Sequence, residues 1–457
     1  MANMSISELT KKQGDFFKTG ATLGYEFRLA SLYALHETIK YMEADIFKAL
    51  QEDLGKAPAE AYMSEVGLVL EEISFARKNL RAWMKPRPLP SPIYTFPCKS
   101  FVYPEPFGLV LNISPWNYPF QLALIPLVNA VAAGNCVILK PSSRTPQTAA
   151  LLGSIISKAF APQHVSVVQG EGAVTGDALL NERFDFIMYT GSANVGKKVM
   201  QAASANLTPV CLELGGKSPA IVWADADLKH AARSIAWGKM LNAGQTCIAP
   251  DYLLVEKSVK NQLESLLQAE FKRFPGVEAA GLQNENYAKI INTAALQRLE
   301  GLAAGKAKID EQSRRMLPLL LPNAQPEDAV MQEEIFGPIL PVLGFEDTNE
   351  VLEFVQAREK PLACYLFTKN KEKLDFILKR MSFGGGCIND TMLHTSSSYL
   401  PFGGVGHSGM GRYHGKHGFD LFSNMKSILH KKTWLDIPLR YLPIRDQTFS
   451  WLKRLLR

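Results

Sequence analysis

Apolar residues recur at three- and four-residue steps through residues 29–55 (LASLYALHETIKYMEADIFKALQEDLG), the spacing of one helix face, and Gly55 stands where a helix C-cap belongs. Residues 59–84 continue the pattern. The chain from about residue 6 to 84 is therefore expected to be helical, until the proline-rich KPRPLPSP stops it. SFVYPEPFGLVLNISP reads as extended, with β-branched and aromatic residues broken by prolines. The texture then changes to short apolar runs alternating with helical stretches. FGLVLNIS, CVILKP, VSVVQG, FDFIMYTGS and AIVWAD read as strands, and QLALIPLVNAVAAG and TAALLGSIISKAF as helices between them. Such alternation predicts a parallel sheet covered by helices on both faces. It resumes after Cys247 with YLLVE, PILPVLGF and CYLFT, which suggests a second α/β unit.

Composition narrows the class. The 457 residues are 47% hydrophobic and 21% charged, ordinary globular values that leave disorder aside. No uninterrupted apolar run is long enough to span a bilayer, and the first residues do not read as a secretory signal. The net charge is +6, and five of those charges fall after residue 430, where seven bases face Asp436 and Asp446. A nucleic-acid binder would spread positive charge over a folded face, so nucleic acid is not expected as a partner. Six cysteines lie far apart with no C-x-x-C pair, which argues against zinc frameworks and disulfide scaffolds and for free thiols in a reducing cytoplasm.

Several local patterns carry chemistry. In FIMYTGSANVG a strand turns into a helix through Gly191 and Ser192, with Gly196 one turn on. This is either a tight turn or an anion-binding helix start. Lys140 ends the strand of CVILKP, either as a solvated lysine or as a contact for a ribose hydroxyl or phosphate. Asn117, in the apolar SPWNYPF, needs a hydrogen-bond partner, either a backbone group or a developing oxyanion. LELGGKSP sets Glu213 before two glycines, and NAGQTCIAP sets Cys247 after a small-residue loop, 34 residues on. Cys211, on an apolar run, reads as a buried core thiol. The histidines at 394, 407, 414 and 417 lack the spacing of a metal site, and no metal is expected.

Taken in order, SPWNYPF, LKPSSRTP, YTGS-x-x-VG, LELGGKSP, GQTC, EEIFGP and LPFGGVGHSGMGRYHG resemble the signatures of the aldehyde dehydrogenase superfamily along essentially the whole chain. The short N-terminus, PLACYLFT and GHSGMGRYHG are most similar to its class-three and fatty aldehyde dehydrogenase branch. The resemblance implies a Rossmann-like cofactor domain (residues 1–85 and 107–210), an α/β catalytic domain (211–390) and a bridging oligomerisation element (86–106 and 391–430) ahead of a basic tail (431–457). It implies Cys247 as nucleophile, Asn117 with the Cys247 backbone N–H as oxyanion donors, and Glu213 as general base. Gly191, Ser192 and Gly196 would meet the pyrophosphate, Lys140 the adenosine ribose, and Glu334 with Phe336 the nicotinamide ribose.

Where many NAD-specific members carry a glutamate, Ser143 stands here, followed by Arg144. The expected cofactor is therefore NAD or NADP. Tyr118, Trp237 and Phe402 match tunnel-lining positions, which implies apolar aldehydes, medium- or long-chain aliphatic or aromatic, oxidised to acids through a thiohemiacetal and a thioester. Two alternatives stand beside this: a coenzyme A-acylating relative, which would not need Glu213, and a catalytically silent binding protein of the same fold. The branch implies a homodimer. In residues 449–457, apolar side chains alternate with Lys453, Arg454 and Arg457 at helical spacing. The tail either contacts an anionic membrane from the cytoplasm or packs on the partner subunit.

Overall fold

A computed structural model describes residues 4–273, 282, 287–436, 441–442, 449–450 and 453. The N-terminal helices run Ile6–Lys18, Tyr25–Tyr41, Glu43–Leu54 and Gly67–Trp83. The first opens with a reciprocal Ser5–Glu8 capping box, and the third closes on Gly55 at φ 67°. Between the last two, Pro58–Ala61 leads into a π-helical turn, Tyr62–Val66.

Two six-stranded sheets follow. In the first, the order is Gly409–Met410, Val210–Glu213, Phe186–Thr190, Leu109–Ile113, Cys136–Lys140, Val165–Val167, parallel except for the antiparallel first strand. In the second it is Leu319–Leu321, Ile339–Phe345, Tyr252–Glu256, Pro219–Val222, Ala363–Phe367, Gly385–Ile388, all parallel. The strands CVILK, FIMYT and ACYLF are buried at every position. Strands covered by helices on both faces have this continuous apolar character. The helix Gln121–Ala133 is likewise buried all round, as its lack of a polar face requires. Together these make an α/β fold of the Rossmann-like kind.

A third, antiparallel sheet joins Arg87–Leu89, Cys98–Pro106 and Ser423–Lys431. Pro104 and Pro106 fall in the stretch of the middle strand that pairs on one side only, where a missing N–H is tolerated.

The sheets divide the chain differently from the expected ranges at two places. Val210–Glu213, which the expected boundary at residue 210 cuts, pairs wholly in the first sheet, and Gly409–Met410 closes the edge of that same sheet. AIVWAD, grouped by its texture with the first unit, belongs to the second sheet. The crossing occurs over Gly215 and Gly216. A Cβ on Gly215 would sit 2.1 Å from Glu334 Oε2, and one on Gly216 would lie 3.4 Å from the Leu362 backbone. Hydrophobic alternation carries no mark of a change of sheet. The basic amphipathic segment 449–457 lies outside the described residues except for Phe449, Ser450 and Lys453, whose ammonium lies 4.5 Å from the Phe449 ring centroid. Among the described residues, no helix is long and apolar enough to cross a membrane.

Candidate active site

In the first sheet the strand order reverses between Leu109–Ile113 and Phe186–Thr190, and in open parallel sheets ligands collect beyond the carboxyl ends of strands at such a switch. The ends near this point carry many of the residues singled out in the sequence. Lys140 closes one strand, Gly191 and Ser192 follow the next, Glu213 ends the third, and the segment carrying Asn117 and Tyr118 follows Leu109–Ile113.

Several of these residues keep unused polar capacity. Lys140 is buried, its ammonium donates to the Pro141 carbonyl at 3.3 Å, and desolvation lowers its pKa. Ser192 is the N-cap of Ala193–Ser204, yet its hydroxyl makes no capping bond. Ser143 and Arg144 are exposed, and a Cβ on Gly172 would approach the Ser143 hydroxyl to 3.8 Å. Two glycines of the turn have packing reasons of their own. A Cβ on Gly191 would lie 2.4 Å from the Tyr189 hydroxyl, and one on Gly196 would lie 2.8 Å from Leu214 Cδ2.

Glu213 is buried, and its Oε1 accepts the Cys211 thiol at 3.8 Å while Oε2 has no partner among the described residues. Burial raises its pKa well above the carboxylate range, against the pull of Arg412. Its backbone carbonyl accepts the Gly191 N–H at 3.0 Å. Glu334 carries a second raised carboxyl, pushed up to about 8 by burial and then by Asp251, with Oε1 lacking a partner among the described residues. Phe336, at φ 51°, packs edge-on against Trp116 with ring centroids 5.3 Å apart.

Cys247 follows a loop in which Asn242, Ala243 and Gly244 all adopt left-handed backbone, at φ 53°, 52° and 73°. Burial raises the thiol's pKa, with the Glu334 and Glu213 charges adding to it. The backbone amides of Cys247 and Ile248 pull the other way. A thiol so placed needs a proton acceptor to become a nucleophile, and two buried carboxyls with raised pKa are close enough to act on it electrostatically. Asn117 is buried, and its amide donates to the Gln245 carbonyl at 3.1 Å. This is the backbone partner that its apolar setting called for, made with one of its two N–H groups, and it ties Asn117 to the Cys247 loop.

Cys247 also lines a cavity of ≈ 150 Å³. Tyr118, Trp237 and Phe402 all line it, with Met63, Leu68 and Leu122. Tyr118 hydrogen-bonds Thr246 Oγ1 at 2.7 Å. No Asp, Glu, Lys or Arg is among the lining residues, and His414, which is, has its pKa driven down to about 3 by burial and is neutral. Met63 and Leu68 were legible in the sequence only as part of a helical region, because a wall built from a distant segment leaves no local motif.

The aldehyde dehydrogenase family pattern matches residues 5–428. The 4,4'-diaponeurosporen-aldehyde dehydrogenase of Staphylococcus aureus is 44% identical over 445 residues, 96% of each chain. The dimeric NADP-preferring aldehyde dehydrogenase of Rattus norvegicus is 44% identical over 432 residues, 93% of this chain and 95% of its own. A substrate-bound structure of Staphylococcus aureus AldH matches with a TM-score of 0.96 at 43% identity, over 99% of this chain and 100% of that one.

Proposed function

The chain belongs to the aldehyde dehydrogenase family and oxidises aldehydes to carboxylic acids with NAD or NADP, and from that premise we propose that its substrates are apolar aldehydes processed on Cys247. The observation that carries the substrate reading is the uncharged, ring-lined cavity on which Cys247 opens. A carboxylate or phosphate on the substrate would be desolvated there without a partner, which is costly. Medium- and long-chain aliphatic or aromatic aldehydes meet no such penalty.

In this reading the Cys247 thiol passes its proton to a buried carboxylate, which releases it to solvent before water is activated, and the sulfur attacks the aldehyde carbon. The alkoxide of the thiohemiacetal is held by the free N–H of the Asn117 amide and by the Cys247 backbone N–H. A nicotinamide held beside Glu334 and Phe336 would accept the hydride. Loss of that hydride from carbon leaves a thioester on Cys247. Glu213 then takes a proton from water, whose oxygen adds to the thioester carbon, and the acid departs as the thiol is restored. The Lys140 ammonium, which donates to the Pro141 carbonyl and keeps further N–H groups, and the uncapped Ser192 hydroxyl at a helix N-terminus suit the ribose and pyrophosphate of a dinucleotide, with Gly191 and Gly196 shaping that turn. Glu334 and Phe336 suit the nicotinamide ribose. Ser143 and Arg144 present no carboxylate to a 2′-phosphate, which suits NADP as well as NAD.

We assign the first sheet with the N-terminal helices to cofactor binding, the second to catalysis, and the three-stranded sheet to a homodimer contact. That sheet and its flanking turn leave Leu89, Ile93, Phe96, Tyr103 and Leu429 exposed. Six free thiols suit a reducing cytoplasm. The basic tail adds peripheral contact with anionic lipid. Sedimentation of the intact protein with anionic vesicles at low salt tests that contact, and light scattering tests the dimer.

The experiment for the activity is reduced-cofactor formation from a ladder running from acetaldehyde to hexadecanal plus benzaldehyde, with NAD and with NADP. Turnover that rises with chain length is expected, and a preference for charged semialdehydes overturns the substrate reading. Turnover that requires coenzyme A would replace water with that thiol as the acceptor.

A further inference from the structure

Lys56 and Glu65 are fully buried and paired at 2.5 Å, a costly arrangement to hold in an apolar interior. Replacing a buried ion pair with groups of like shape is often neutral or stabilising, so stability alone does not account for it. Its contacts point to another use. The Lys56 ammonium donates to the Asn117 carbonyl at 3.0 Å. Glu65 Oε2 accepts the N–H of Phe120 at 2.8 Å and of Gln121 at 3.2 Å, where the buried helix begins. The pair thus grips both ends of the five-residue segment that carries Asn117.

That segment is tied in turn to the loop before Cys247. Asn242 Nδ2 donates to the Asn117 carbonyl at 2.8 Å and to the Gln245 carbonyl at 3.0 Å, the same oxygen that accepts the Asn117 amide. Glu60 Oε1 accepts the Asn242 N–H at 2.8 Å. Three consecutive left-handed residues persist only where their surroundings over-determine them, and these bonds do so. The Lys56 ammonium also lies 4.0 Å from the centroid of the Tyr118 ring, which lines the cavity. Glu65 belongs to the π-helical turn whose Met63 and Ser64 line the same cavity, and π turns recur at functional sites.

We propose that Lys56 and Glu65 are positioning residues for the oxyanion donor: through the Asn117 carbonyl and the Phe120 and Gln121 amides they fix the backbone from which the Asn117 amide faces the reacting carbon. The inference rests on the assignment of Asn117 as that donor. The pair touches neither aldehyde nor cofactor, so its loss acts on kcat and leaves the KM for NAD alone.

The test removes both charges together, as Lys56→Met with Glu65→Gln, beside Asn117→Ala and the triple variant. Asn117→Ala is expected to lower kcat by ~10²–10³-fold. The charge-free pair is expected to lower it by roughly 10- to 100-fold, the scale of a misplacement of about 1 Å, with unchanged KM for NAD and an unchanged circular dichroism spectrum. The triple variant should be no slower than Asn117→Ala alone, because the pair acts through that residue. Lys56→Gln with Glu65→Gln, which restores a neutral donor near the Asn117 carbonyl, should recover part of the kcat, and it replaces the first variant should that one not fold. Wild-type kcat in the charge-free chain, or losses that multiply in the triple variant, would overturn the inference while leaving the function intact. Wild-type kcat in Asn117→Ala alone would instead overturn the oxyanion assignment itself.

Discussion

On its cavity side Cys247 is surrounded by rings and thioethers, Tyr118, Trp237, Phe402 and Met63. On its strand-end side it feels two buried carboxyls, Glu213 and Glu334, with raised pKa values. The first wall offers shape and a low dielectric, and rejects charge without naming a particular substrate. The second offers proton acceptors in a desolvated setting, where a carboxylate is a stronger base than in water. In the proposed function, selectivity falls to the cavity lining and chemistry to the carboxyls, and substitutions in the two sets should fail differently.

The largest effect should come from the sulfur both sides share. Cys247→Ala is expected to abolish aldehyde oxidation, a loss of roughly 10⁶-fold by analogy with other covalent nucleophiles, while cofactor binding followed by fluorescence titration persists. Next is the strand-end side. Glu213→Gln should slow thioester hydrolysis by ~10²–10⁴-fold, so that a burst of reduced cofactor precedes a slow steady state. Because burial raises the pKa of Glu213, the group is protonated at low pH, and the proposed base would act only once ionised. The steady-state rate of the unaltered enzyme should therefore rise with pH, with its acid limb above the ordinary carboxylate range, and Glu213→Gln should flatten that limb.

A smaller change is expected farther from the sulfur. Ser143→Glu should lower kcat/KM with NADP by about 10- to 100-fold and spare NAD, the cost of setting a carboxylate against a 2′-phosphate. Equal loss with both cofactors would discard that assignment. The smallest effect belongs to the cavity side. Trp237→Ala should shift the chain-length preference by about tenfold or less in kcat/KM, within the ~1–3 kcal/mol that an apolar pocket commands. If Trp237→Ala instead abolished turnover with every aldehyde, the division between the two walls would fall.

The same division governs what the sequence made legible. Lys140, Gly191, Ser192 and Glu213 could be singled out because each stands where an apolar run breaks into a polar or glycine-rich turn, at the strand ends where parallel sheets hold ligands, while the roles proposed for them came from the family resemblance. The sheet change at Gly215 and Gly216 left no trace in the hydrophobic pattern, because FIMYT of the first sheet and ACYLF of the second are alike buried at every position. Met63, Leu68 and Leu122 come from helices whose periodicity reports burial and not what they face. Lys56 and Glu65, nine residues apart in an otherwise ordinary helical stretch, had no pattern to distinguish them from surface charges.

The loop before Cys247 draws its hydrogen bonds from far along the chain. Asn242 reaches Glu60 and Asn117, and Gln245 reaches the Lys289 carbonyl and the Ile291 N–H. Contacts of such long sequence separation carry a loop-closure cost that the rest of the fold must offset, and they are expected to close late. The reactive centre is thus an end point of folding and not a local motif that a partial chain could assemble, and the appearance of activity during refolding should report completion of the whole molecule.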